Sequence, residues 1–156
     1  MPGRPDAGRD GGSTGWTISF RTGSYATLRL QQLLAQLGYL PLSWAARLGG
    51  TVMPGDVQAQ LSAAYQPPAG RFTWVSGYPS SLASFWQQGT ANLIDTGAVM
   101  AFESDHGLPL DGAADATVWS DLLRAAEAQQ DNPDGYSYAI ASKVIPETLT
   151  IWHLGS

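Results

Sequence analysis

The sequence predicts a mainly α fold, in which three helices are interrupted by a long aromatic-rich insertion and followed by a short C-terminal β hairpin-like segment. Three observations carry this. Apolar residues recur at helical spacing in three separate stretches, around Leu33, Val99 and Leu122. Pro41, Pro54, Pro67, Pro68 and Pro79 divide residues 41–93 into pieces too short for long elements. Beyond Gly135 the apolar period falls from about 3.6 residues to about 2.

Taken in order, residues 1–15 hold almost no apolar side chain beyond Met1 and Ala7, so burial cannot offset the entropy of ordering them, and a disordered leader is expected. The first helix is predicted over 24–37, where Leu30, Leu33, Leu34 and Leu37 share a stripe and Gly38 supplies the left-handed closing residue. Within the insertion, short helices are expected over 56–65 and 81–87, with an extended stretch at 71–75 between them. The second helix is expected to be capped by Asp95 or Thr96, to bury Ala98, Val99 and Phe102, and to end at Gly107. Asp111-Gly112 then makes a turn, in which Asp supplies a side-chain acceptor and Gly an unhindered backbone. Asp115 caps the third helix, whose Val118, Trp119, Leu122 and Leu123 form one buried face. Leu33, Leu37, Val99, Phe102, Trp119 and Leu122 should therefore share a single core.

Asp131-Asn132-Pro133-Asp134-Gly135 breaks the helical pattern, and Tyr136, Tyr138 and Ile140, then Leu149, Ile151 and Leu154, alternate as two strands. Two strands alone are marginally stable. Residues 136–156 are accordingly expected to be the truncated first strands of a further domain, with 16–130 as the main domain.

The 156 residues suit one domain with one core. Eight Lys and Arg stand against 13 Asp and Glu, a net charge of -5, and the basic residues are scattered singly. Nucleic acid is thereby excluded as an expected partner, because polyanion binding needs clustered cations. Charged residues make only 13% of the chain, so Gly, Ser, Thr, Gln and Asn must finish the surface. No apolar run approaches the ~18 residues of a membrane span, and residues 1–15 show no export signal. Cysteine is absent, which removes disulfides, thiolate metal sites and cysteine nucleophiles from this chain.

Other catalytic patterns fail on geometry. Ser104-Asp105-His106 places three triad residue types side by side, yet consecutive helical residues diverge by about 100° and cannot line up as nucleophile, base and orienter. His106 is expected instead to meet the unpaired carbonyls of a helix C-terminus, and His153 to lie on the surface. Glu103 and Asp105 face different directions, which argues against a paired-carboxylate site. The 131–135 loop lacks a calcium loop's closing Glu, since Ala141 holds that position. No catalytic residue, metal or cofactor is assigned.

Leu30-Gln31-Gln32-Leu33-Leu34-Ala35-Gln36-Leu37-Gly38-Tyr39, the stretch from Gly97 through Phe102 and Gly107-Leu108-Pro109-Leu110-Asp111-Gly112, and Trp119-Ser120-Asp121-Leu122-Leu123 together resemble the three-helix peptidoglycan-binding domain. Asp115 stands where that family has a glycine, and Val118 where a threonine is usual. The long insertion, with Phe72-Thr73-Trp74 and Phe85-Trp86, resembles the variant found in actinobacterial L,D-transpeptidases. Tyr136-Ser137-Tyr138-Ala139 and 146–153 resemble the start of the transpeptidase domain, whose reaction uses a cysteine nucleophile. The resemblance implies a binding module for the glycan or stem peptide of peptidoglycan, located extracytoplasmically or in the cell wall, that positions a C-terminal catalytic domain without doing chemistry itself. One alternative makes the chain the N-terminal portion of an L,D-transpeptidase, and another a protein–protein packing module.

Sugar rings and peptide stems are commonly held against aromatic faces. Trp44, Trp74, Tyr78 and Trp86, all in the insertion, are therefore the candidate ligand-binding residues, the alternative for each being extra core. Gly107, Asp111 and Gly112 are expected to be structural turn residues.

Overall fold

The structure is a computed structural model that describes residues 24–154. The leader expected at 1–15 lies outside the described residues. The first helix, α1 (Thr27–Gln36), is the central element. Arg29 through Ala35 are buried without interruption, because α1 lies against each of the other three helices and the first strand. Leu37 closes it, and Gly38 takes φ 78° so that Tyr39 N–H donates to the Leu34 carbonyl at 2.8 Å.

Strand β1 (Leu42–Ala46) follows Pro41, and α2 (Val57–Tyr65) is capped by Asp56, whose carboxylate accepts from Ala59 N–H at 3.0 Å. Strand β2 (Gly70–Trp74) returns antiparallel to β1, with Trp44 opposite Phe72. A 3-10 turn, Ser80–Phe85, stands where a short α-helix is expected from sequence. Helix α3 (Leu93–His106) is capped by Asn92, which accepts from the N–H groups of Ile94 and Asp95. Gly107 closes it at φ 65°. Helix α4 (Ala116–Ala128) is capped by Asp115 and closed by Gln129 in the left-handed region. The chain then forms β3 (Ser137–Ser142) and β4 (Thr148–His153), a second antiparallel pair with Tyr138 opposite Trp152.

Leu33, Leu37, Val99, Phe102, Trp119 and Leu122 all belong to one buried cluster, as the helical stripes imply. The fold class, however, is corrected from mainly α to mixed α/β. About 40% of the described residues are helical and 17% are strand, arranged in two small antiparallel sheets. The sheet within the insertion makes the difference. β1 has five residues, of which Leu42, Trp44 and Ala46 turn inward, and it pairs with a segment about 30 residues away, so no local period announces it. The start of α3 also differs from expectation. Asn92 takes the capping role, and Asp95 lies buried as the third residue of the first turn.

Candidate functional site

The candidate site is a cleft of about 470 Å³ beside Trp44. Strand alternation turns Ser43 outward and Trp44 inward, placing the indole over the β1–β2 pair. Its centroid stands 4.9 Å from that of Phe72, its cross-strand partner. The strand residue beneath the indole is Gly70, where any side chain would collide with the ring.

Around the indole, the C-terminal turn of α1 contributes Gln36, the loop after β1 contributes Thr51, and α2 contributes Gln60. The end of α4 and the residues after it supply Gln129 and Asp131. Three amides and the Thr51 hydroxyl thus surround an aromatic wall, while the Ser43 hydroxyl, on the other face of the strand, donates to the Thr73 carbonyl at 3.3 Å. Asp131 is the one charged side chain among the lining residues. Such a surface offers stacking and hydrogen bonds in both directions without fixed positive charge, which suits an uncharged, hydroxylated ring. Gln60 is held in place from beneath: its Oε1 accepts from Arg29 Nη2 at 2.8 Å. Arg29 is itself buried, with Gln32 Oε1 accepting at 3.1 Å, and burial pulls its guanidinium down to about 10.

The other candidate aromatics fall into two places. Trp74 and Trp86 belong with Trp44 to one chain of rings, linked through Phe72. Phe72 meets Trp86 edge-on at 5.4 Å, and Trp86 meets Trp74 at 6.5 Å. All are half-buried against the core. Tyr78 lies elsewhere. Its hydroxyl donates to the Tyr136 carbonyl at 2.7 Å and its ring meets Tyr136 edge-on, fastening the strand that follows to the body of the domain.

The turn residues have clear work. The N–H groups of Asp111 and Gly112 donate to Glu103 Oε2 at 3.1 and 2.9 Å, and Asp111 Oδ1 accepts from Ala113 N–H at 2.8 Å. Gly112 has φ 69°, and a Cβ there would approach Thr96 Cγ2 to 2.8 Å. Glu103, only 1% exposed, is the residue that sequence reasoning missed, since its pattern position gives no sign that a backbone turn needs it. Asp105 accepts from the Tyr39 hydroxyl at 2.8 Å, and His106 Nδ1 lies 2.9 Å from the Phe102 carbonyl with its ring stacked on Phe102. These three residues tie α3 to its own end and to the Leu-Gly-Tyr segment.

Among the described residues no group of three His, Asp or Glu is placed to hold a metal ion, and no helix is long and apolar enough to cross a membrane. In comparisons with family models, curated proteins and solved structures, nothing matches the chain.

Proposed function

We propose that the chain is a peptidoglycan-binding module that holds the glycan against Trp44 and positions a cell-wall-modifying enzyme. The observation that supports this reading is the composition of the Trp44 cleft: one aromatic face, three amides, the Thr51 hydroxyl and a single carboxylate, in a volume of about 470 Å³. The module adds effective concentration, not chemistry, to a catalytic partner. In the same reading, the chain works outside the cytoplasm, at the cell wall.

Sedimentation with insoluble peptidoglycan tests it. The protein should co-sediment, and retention should change little between low and moderate salt, because stacking and neutral hydrogen bonds are only weakly screened. Trp44→Ala should lose most retention, as should Thr51→Trp, which fills the cleft from an exposed position. Retention that survives both changes in folded protein would exclude this cleft.

A second reading, as the N-terminal portion of an L,D-transpeptidase, draws support from the β3–β4 ribbon. Leu149 and Ile151 lie on one face of β4 and are exposed, the pattern of a strand pair whose face is covered by a further layer.

A further inference from the structure

A second cleft, of about 620 Å³, opens where the first turns of α1, α3 and α4 meet. Tyr25 and Thr27 line it from the start of α1, Asp95 and Thr96 from α3, and Asp115 and Trp119 from α4. Among the described residues, the lining includes two carboxylates and no Lys, Arg or His. Tyr25 lies against Trp119 with ring centroids 4.6 Å apart, giving the cleft an aromatic wall.

The two carboxylates are used differently. Asp115 Oδ1 caps α4 by accepting from Val118 N–H at 2.9 Å. Asp95 is only 3% exposed, and its Oδ2 accepts from both Gln31 Nε2 and Asn92 Nδ2, each at 2.9 Å. Its Oδ1 has no hydrogen-bond partner among the described residues. A buried carboxylate with one oxygen unmet is costly, and beyond the partial positive charge of the helix N-termini no described side chain beside it supplies a cation.

We propose that this cleft binds a primary ammonium group on a short aliphatic chain, which donates to Asp95 Oδ1 while the chain lies along the Tyr25 ring. Oδ1 is enclosed, so binding requires the carboxylate to turn about its broad, soft torsion toward the cleft and to share Oδ2 less closely with Gln31 and Asn92. An ammonium supplies both the missing donor and the missing charge, whereas a hydroxyl would supply only the first. The titratable neighbours are Tyr25 and Asp115. Tyr25 is pushed up to about 12 by burial and stays neutral. Burial pushes Asp95 up to about 6, which leaves it ionised at neutral pH. The site shares no residue with the Trp44 cleft and does not rest on the glycan reading.

The test is calorimetric titration of the full chain at about pH 7.5 with Nα-acetyl-lysine methylamide, against the same compound acetylated on its side-chain amine. The free amine should bind saturably and at least about tenfold more tightly than the acetylated form, the scale of one charge-assisted hydrogen bond. Asp95→Asn should abolish that preference while melting as a folded protein. Ala91→Trp, at an exposed position in the cleft wall, should block binding with Asp95 intact. Equal binding of the two compounds, or an undiminished preference in folded Asp95→Asn or in Ala91→Trp, would overturn the proposal.

Discussion

The Trp44 indole lies so close over Gly70 that a Cβ at Gly70 would fall against its six-membered ring and the Ala45 carbonyl. The two residues are on neighbouring strands and two positions apart in register, Gly70 opposite Ala46 and Trp44 opposite Phe72. The absence of a side chain at one sets the position of the ring at the other.

Gly70→Ala should therefore force the indole out of its place. Overpacking of this kind costs about 1–3 kcal/mol. A lowered Tm together with a changed tryptophan emission spectrum would register the displacement, and peptidoglycan retention should fall with it. An unchanged spectrum and Tm would mean that the indole is not held there.

Glu103→Ala removes the acceptor for two backbone N–H groups of the 111–112 turn. Losing hydrogen bonds to a charged group costs about 1.5–3 kcal/mol each at most, and the exposed turn recovers part of that from water. A fall in stability of about 2 kcal/mol in urea unfolding is expected, with Glu103→Gln recovering part of the loss.

Phe102 is 0% exposed, stacked on His106 and edge-on to Tyr39. Phe102→Ala should cost about 3–5 kcal/mol, through lost burial and the cavity left behind. Trp86→Ala, at a half-buried ring, should cost less than that, and denaturant midpoints of the two variants would rank them.

Asp95 supplies a pH signature. Burial raises its carboxyl to about 6 against the amide donors of Gln31 and Asn92, so the folded state holds a proton that the unfolded chain, with an ordinary carboxyl near 4, releases. Stability should then decline as pH rises from about 4 to about 6 and stay level above that. Asp95→Asn should flatten this decline and raise the stability at neutral pH by about 1–3 kcal/mol, seen as a higher Tm. A parallel decline in wild type and variant would assign the pH dependence to other groups.

Elements that carry their own signal were legible in the sequence. α4 is fixed by the Asp115 cap and by the face of Val118, Trp119, Leu122 and Leu123, all of which are buried. β1 was not, because its stability comes from β2 across the intervening residues 47–69, and a non-local partner leaves no local period. The start of α3 was misplaced because Leu93, its first residue, is 73% exposed and extends no apolar stripe, while Asp95 is a buried strut and not a cap. Of the candidate site, Trp44 stood out in the sequence, with Trp74, Tyr78 and Trp86, as an aromatic of the insertion in a chain of low charge, and it lies half-buried on β1. Its amide surroundings were not legible, since Gln36, Gln60 and Gln129 come from three different helix positions that only the fold brings together. The buried Arg29, Gln31 and Gln32 escaped for a related reason: a stripe reading assigns polar residues to water, and α1 has no side that faces water along that stretch.

The two amide hydrogens of Gln31 are shared among the carbonyls of Gln87 and Thr90 and the Asp95 carboxylate, and its Oε1 accepts from Gly89 N–H at 2.7 Å, so a single buried side chain gathers a loop with no regular structure of its own onto the central helix. Opening the loop therefore means breaking the bonds to that one side chain. In hydrogen–deuterium exchange the Gly89 amide should trade with solvent more slowly than the amides of the same loop that have no partner, and Gln31→Ala should remove that protection.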